Sequence, residues 1–380
     1  MRILIVTGIF PPDIGGPATY VPLLADALRR RGHAPTVITM SDAPAAAAPV
    51  LPFPVVRLSR RPWAVWRWVS GVAAVVRAAR RTDVILAAGL LVQCAVANLV
   101  VRKPLAVRAV SDLAWDRATA YGWLDEDLDE FHRRRHALRI EGLKLLQAWA
   151  LRRADLVIVP SRWLAGWVAR EGVRADRVRV IPNATAIPFD TQGPSGRTLR
   201  GTPMIAAVGR LVPVKRMDRI IRAVAQLPAV RLRIIGDGPQ RGALARLAVE
   251  LGLSDRVEFA GRQDHVRALR LLADSDALVI SSAHEGFPHV ILEAMALAVP
   301  VIAPSAGGIP ELIDDGRTGL LIDGSVGGIT AALRRLFETP GLAARLGAQA
   351  RGDVHTRFDP VRMAEATLRA LQDAAAMRIR

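Results

Sequence analysis

Short apolar runs recur along the chain, separated by longer stretches whose apolar positions repeat every three or four residues. The runs Ile3–Val6, Thr36–Thr39, Val55–Leu58, Val84–Ala87, Pro104–Val110, Leu156–Val159 and Val178–Ile181 read as strands buried in a sheet. Pro17–Arg31 and Pro62–Arg81 have helical spacing, and the stretch from about Asp125 to Arg153 predicts one long helical region with acids first and bases after. A second series starts with Met204–Val208 and continues through Leu232–Ile235, Val257–Phe259, Ala277–Ile280 and Val299–Ala303, again with helical segments between. Strand and helix in strict alternation predict parallel, doubly wound α/β sheets. The polar, Pro- and Gly-bearing stretch after Ile181 separates the two series. The expected architecture is therefore two tandem Rossmann-like domains facing a central cleft. Their expected bounds are 1–185 and 203–358, with a linker at 186–202. A final helical segment at 359–380 follows Pro360 and is expected to cross back to the first domain.

Within this frame the stretch SSAHEGFPHVILEAMALAVPVIAP, Ser281 to Pro304, carries the densest candidate chemistry. Pro288 suits the first position of a helix running to about Val299, which leaves Glu285 in the turn after the strand. Ligands of open α/β sheets bind beyond the carboxyl ends of the strands, where helix N-termini offer N–H groups to anions. The turn at Glu285, Gly286 and Phe287 is thus placed to hold a phosphate with backbone and a hydroxyl with carboxylate. Glu293 lies inside the helix, where an apolar core has no use for a carboxylate without a partner. The ordinary alternative is one loop glutamate and one solvated helix glutamate. Arg210 and Lys215 follow the Met204 strand, and a planar guanidinium beside a point-charge ammonium suits a diphosphate. Tight turns at Gly236–Pro239, with Gly236 and Gly238, and at Ala306–Gly308 end later strands, and Gly15 and Gly16 end the first.

Composition narrows the picture. At 380 residues the chain exceeds the usual single-core limit, and two domains are expected. The single cysteine, Cys94, excludes an internal disulfide and a cysteine-based metal centre, and fits a reducing, cytoplasmic setting. The opening MRILIVTGIF reads as a strand and not a signal peptide. The uncharged segment Val84–Val101 raises the possibility of a transmembrane helix, but Gly89, Gln93 and Asn98 favour strand, turn and buried helix. Basic residues number 52 against 35 acidic, a net charge of +17, which suggests anionic partners. All but Lys103, Lys144 and Lys215 are arginines, a pattern that coding bias explains. The arginines are dispersed and lack the aromatic and basic signatures of nucleic-acid modules, so no nucleic-acid partner is expected. Asp125-Glu126-Asp127 and Asp274-Ser275-Asp276 imitate a DxD metal motif, but the first suits a helix start and the second precedes its strand.

The order GRLVPVK, IIGDGP, VEFAGR, then EGFPHVILEAMALAVPVIAPSAGGIPELI, with FPPDIGGPATYV near the start, resembles the retaining nucleotide-sugar glycosyltransferases of family 4, which have the GT-B fold. The resemblance covers nearly the whole chain and is strongest from Pro203 to Asp323. It implies that Arg210 and Lys215 hold the donor diphosphate, Glu293 the ribose hydroxyls and Glu285 a hydroxyl of the transferred sugar. Gly236, Gly238, Gly286, Phe287 and Gly308 would line the donor, Gly15 and Gly16 would border it from the first domain, and the base would lie near Gly261 and Arg262. It implies no metal and no cofactor beyond the nucleoside-diphosphate sugar, and a glycan or lipid-linked acceptor in cell-envelope or polysaccharide synthesis. Many relatives place a His at the end of the strand that here reads LAVRAVSD, where Ser111 and Asp112 stand. Asp112 or Asp116 is then a candidate for that role, and Asp112 equally a helix cap. A nucleotide-sugar 2-epimerase or a silent sugar-nucleotide binder would share the fold. Trp63, Trp66 and Trp68, with basic residues from Arg60 to Arg81 and a second cluster at Arg133, Arg134, Arg135 and Arg139, suit peripheral docking on an anionic membrane, on the inner face of the cytoplasmic membrane. The alternative is a helix packed with its Trp side chains inward.

Overall fold

The run Ile3–Val6 is wholly buried and lies in β1 (Arg2–Thr7), an interior strand of a parallel seven-stranded sheet. The structure is a computed structural model, described over residues 1–13, 15–42, 50–61, 63–124, 128–187 and 201–378. Numbered in chain order, the elements around that sheet are α1 (Gly16–Arg30), β2 (Ala34–Met40), β3 (Val55–Leu58), α2 (Ala64–Ala79), β4 (Val84–Ala87), α3 (Leu91–Val101), β5 (Leu105–Arg108), α4 (Leu113–Ala120), α5 (Leu128–Arg133), α6 (Leu138–Arg152), β6 (Leu156–Val159), α7 (Arg162–Arg170) and β7 (Val178–Val180). The strand order is β3-β2-β1-β4-β5-β6-β7. Ile3 sits opposite Pro35 on one side and Val84 on the other, so the chain reverses its direction of growth between β1 and β4.

The second sheet is also parallel, with order β10-β9-β8-β11-β12-β13. Its strands are β8 (Met204–Val208), β9 (Arg231–Ile235), β10 (Val257–Gly261), β11 (Ala277–Val279), β12 (Val301–Pro304) and β13 (Leu320–Ile322), and the last of these has no counterpart in the sequence reading. Helices α8 (Met217–Ala225), α9 (Arg241–Glu250), α10 (His265–Ala273), α11 (His289–Ala296), α12 (Val326–Glu338) and α13 (Leu342–Arg357) cover it. The chain divides into two compact units. One comprises Met1–Leu124, Phe131–Ala184 and Pro360–Arg380, the other Asp125–Glu130 and Thr185–Asp359. The last helix, α14 (Pro360–Met377), belongs to the first unit, where Met363, Ala364, Leu371 and Ala374 share a core with Phe10, Val21 and Leu24. Arg31 pairs with Glu365 at 2.8 Å at its start.

Several details differ from the pattern in the sequence. The long helical region breaks into α5 and α6, because Lys144 reaches back to donate to the carbonyls of Phe131 and Arg134, ending the first helix. The triplet 125–127 lies outside the described residues, as does 188–200, most of the expected linker. Pro288 is the residue before α11 and not its first, and the helix stops at Ala296. Val84–Val101 is strand, turn and helix, and no helix among the described residues is long and apolar enough to cross a membrane. Cys94 is fully buried in α3, where burial pushes its thiol up to about 12.

Helix α13 contains two glycines in opposite situations. A Cβ on Gly347 would overlap the carbonyl of Ala298, whereas one on Gly352 would meet open space. Gly347 is therefore what lets α13 lie against the chain just after α11. Gly352→Ala should stabilise the protein by about 0.5–1 kcal/mol through helix propensity. Gly347→Ala should destabilise it by about 2 kcal/mol or more by forcing the helix off its neighbour. Urea unfolding of both variants measures the difference in sign.

Candidate active site

The second sheet reverses direction between β8 and β11, and the loops after these strands are tied together. The loop after β8 tightens into a single 3-10 turn at Pro213–Lys215, ending at Arg216 in a left-handed conformation (φ 47°). Its carbonyls are satisfied from the other loop. The buried Ser281 hydroxyl lies 2.7 Å from the Lys215 carbonyl and 2.8 Å from that of Arg216, and the Ala283 amide donates to Val214 at 2.9 Å. This holds Lys215 over the end of β11, where its ammonium pairs with the Glu285 carboxylate. Ser282 donates to the same carboxylate oxygen at 2.7 Å.

A third strand end joins them. The Gly308 amide, in the turn after β12, donates to the Glu285 carbonyl at 2.9 Å, and Gly307 (φ 60°) lies so close to that carbonyl that a Cβ would overlap it. Glu285 is therefore fixed through its backbone by one loop and through its side chain by another. Sequence reading proposed Lys215 for one anion and Glu285 for one hydroxyl, as separate groups; they are one ion pair, with Ser281 and Ser282 as supports that it did not single out.

Glu293 sits one turn inside α11 and is 8% exposed. Its partner is His265, the first residue of α10, whose Nε2 lies 2.9 Å from Oε1. The hydrogen bond to Glu293 raises the imidazole above its ordinary pKa against the opposing effect of burial. The lone signal for His265 in the sequence is a histidine directly after Asp264, the residue that caps α10 by accepting from the Arg267 amide at 2.9 Å.

The other expected residues divide. Arg210 and Arg262 are exposed at the ends of β8 and β10. Phe287 is 6% exposed and meets Phe358 edge-on at 5.8 Å between ring centroids, so its side chain is core and only its backbone is available to a ligand. Gly236 and Gly238 are required by neighbouring backbone: a Cβ would overlap the Gly209 carbonyl in the first case and lie 2.5 Å from the Leu211 carbonyl in the second. These contacts belong to a ladder in which Gly209 donates to Ile235 and Leu211 to Asp237, each at 3.0 Å. Gly286 is half-buried beside Glu285.

In the first unit, Gly15 and Gly16 open α1 at the β1/β4 reversal, with no side chain capping the helix. The loop before them is held by Arg60, which pairs with Asp13 and donates to the carbonyls of Gly8 at 3.0 Å and Met40 at 2.6 Å. Asp112 does not fill the place of a solvent-facing catalytic group. It is 1% exposed and caps α4, its Oδ1 accepting from the amides of Ala114 at 2.8 Å and Trp115 at 2.9 Å. Burial alone would raise its carboxyl, but His132 and the Trp115 amide hold it below the usual range. Asp116, exposed, accepts from Ser111 at 2.5 Å.

Residues 193–353 match the family model for glycosyl transferases group 1, and residues 15–184 match that of a glycosyl transferase 4-like domain. The chain is 30% identical over 269 residues to the lipopolysaccharide core biosynthesis glycosyltransferase LpsE of Rhizobium meliloti (strain 1021), covering 62% of this chain and 78% of that protein. It is 37% identical over 164 residues to the D-inositol 3-phosphate glycosyltransferase of Mycolicibacterium smegmatis, covering 40% of this chain and 38% of that one. The structure superposes with a TM-score of 0.80 on Anabaena Alr3699/HepE in complex with UDP and glucose, at 24% identity, covering 98% of this chain and 99% of that chain. With its two parallel α/β sheets, the chain belongs to the group 1 glycosyltransferases of GT-B fold.

Proposed function

We propose that the unit built on β8–β13 binds a nucleoside-diphosphate sugar and that the enzyme transfers the sugar, with retention, to a hydroxyl of a glycan or lipid-linked acceptor in envelope or polysaccharide synthesis. The observation that carries this reading is the meeting of Lys215 and Glu285 at the reversal point of the second sheet, where ligands of such sheets bind. The lipopolysaccharide core role of LpsE and the UDP and glucose bound to HepE support the donor and the pathway class.

Breaking the bond between the anomeric carbon and the diphosphate puts growing negative charge on the leaving oxygens. Cations already in place lower that barrier. Lys215, held by the turn at Pro213, and Arg210 are suited to this work without a metal ion. Glu285 takes a hydroxyl of the sugar while keeping Lys215 oriented, and Glu293, positioned by His265, takes the ribose hydroxyls. The acceptor oxygen bonds to the anomeric carbon from the face the diphosphate leaves, and its proton passes to a diphosphate oxygen.

Peripheral membrane docking is the second part of the proposal. On α2, Gly71, Val75 and Ala79 face the core, while Trp63 just before it is 86% exposed and Trp66 70%. Val65 and Val69 extend this outward face, with Arg61, Arg80 and Arg81 exposed nearby. Indole rings among headgroups with cations over anionic lipid fit it. Arg60 is not among those cations, being committed to Asp13.

Incubation with UDP-, GDP- and ADP-sugars should release free nucleoside diphosphate; an epimerised donor, or no turnover of any donor, would replace this reading with the epimerase or the silent binder. Lys215→Ala should raise the barrier by about 2 to 4 kcal/mol. Turnover within roughly tenfold of the parent would remove Lys215 from the chemistry.

The two glutamates should separate by calorimetry. Glu285→Gln is expected to impair transfer while leaving nucleoside diphosphate affinity unchanged or higher, because it releases Lys215. Glu293→Gln should weaken the nucleotide itself. Equal losses of affinity would show the two roles to be misassigned.

Co-sedimentation with vesicles should rise with anionic lipid content and fall with salt, at about 1 kcal/mol per basic residue near the surface. Trp63→Ser with Trp66→Ser should abolish it. Binding indifferent to lipid charge, or absent at low salt, would point to a soluble acceptor.

A further inference from the structure

The first unit holds a cluster that the transfer chemistry does not use. Asp112 caps α4 with one carboxylate oxygen; the other, Oδ2, meets no hydrogen-bond donor although the side chain has no solvent exposure. His132 in α5 brings Nε2 to 3.2 Å from this oxygen. At that distance a hydrogen bond is expected, yet the two are not aligned on each other, and Nε2 too is buried without a partner. Glu171, at the end of α7, places a carboxylate oxygen within 4.8 Å of both.

Two buried polar atoms that are close but do not point at one another are arranged as ligands around a shared centre are arranged. Bonds of about 2.0–2.2 Å in a tetrahedral zinc site set neighbouring donor atoms roughly 3.3–3.5 Å apart. The Asp112–His132 separation is close to this value, and the Glu171 carboxylate oxygen lies within 4.8 Å of both. The charge balance agrees. Two carboxylates, Asp112 and Glu171, lie close together beside one imidazole, so the cluster gains from a cation. Lys144 supplies little of that charge, since it is committed to the carbonyls of Phe131 and Arg134 and to Glu141.

We propose that Asp112, His132 and Glu171 bind one Zn²⁺, with water in the fourth position, tying together the start of α4, α5 and the end of α7. The site is structural and does not rest on the assignment of the donor residues. It accounts for a histidine and two carboxylates meeting inside the unit from three separated segments.

The test uses the full chain after dialysis against a chelator. Titration with Co²⁺ should give one equivalent bound, with the visible absorption of a four-coordinate site, displaced by Zn²⁺, and Zn²⁺ should raise Tm. His132→Ala and Glu171→Gln should each lower the Co²⁺ affinity by roughly 100-fold or more. Glu171→Gln, at a half-buried helix end, reports on the site even if His132→Ala fails to fold. Absence of stoichiometric Co²⁺ binding by the parent, or binding that Glu171→Gln leaves unchanged, would overturn the proposal and leave a simple Asp112–His132 pair.

Discussion

The second unit depends on one residue being held from three directions. Glu285 follows β11, but its carbonyl is bound by the turn after β12 and its carboxylate by Lys215 from the loop after β8 and by Ser282. An ion pair of this kind, partly shielded from water, loses more than a surface pair when one member is removed, because the other is left without compensation. Under the proposed function the same pair would also be a switchable contact: a diphosphate would offer Lys215 a doubly charged partner and a sugar hydroxyl would offer Glu285 a neutral one. Before the donor arrives, each group satisfies the other, so neither waits as an isolated charge.

The glycines show how such a site is kept in place. Gly236, Gly238 and Gly307 each have backbone of the neighbouring loop where a Cβ would go. The loops after β8, β9, β11 and β12 thus pack main chain on main chain, with amide-to-carbonyl bonds near 3.0 Å between them. Side chains that hop between rotamers would position Lys215 less well than this ladder does, since backbone contacts of this sort cannot relax without moving a strand. Left-handed Arg216 belongs to the same economy: its conformation, unusual for a non-glycine residue, closes the turn that aims Lys215.

Much of this was legible in the sequence, and the exceptions have physical causes. Alternating apolar runs sufficed for β1, β8 and the other interior strands, because a strand buried on both faces must be apolar at successive positions. The edge strand β13 escaped, since only a 3-10 turn at Ile309–Glu311 lies between it and β12, so the alternation of strand and helix breaks there. Glu285, Glu293, Arg210 and Lys215 stood out by their places at strand ends and inside a helix, and the structure pairs Lys215 with Glu285. His265 was not, because its meaning is a 2.9 Å contact with a residue in another helix. Asp112 carried two readings, cap and catalyst, and only burial chose between them. The sequence could not show that the Phe287 ring is core or that Gly236 and Gly238 are required by neighbouring backbone, because turns that touch ligands and turns that touch protein share the same residues.

The net charge of +17 also changes meaning in three dimensions. An arginine matched to a carboxylate adds nothing to the total, but one that satisfies carbonyls adds a full charge while serving the fold. Arg256 directs Nη1 toward the carbonyls of Val224, Leu227 and Val230 at 2.8–3.2 Å, and Arg219 donates to Gly324 at 2.7 Å. Arg108, almost fully buried, stacks 3.9 Å above the Tyr20 ring and donates to Asn183 at 2.6 Å. Arg256 and Arg219 close loop or helix ends that would otherwise leave carbonyls without donors, and the guanidinium's several N–H groups suit it to that task. Part of the excess of base over acid is therefore structural. It follows that total charge is weak evidence for an anionic partner, and that the argument for a membrane rests on place: exposed indoles at the outward face of α2, with exposed arginines nearby.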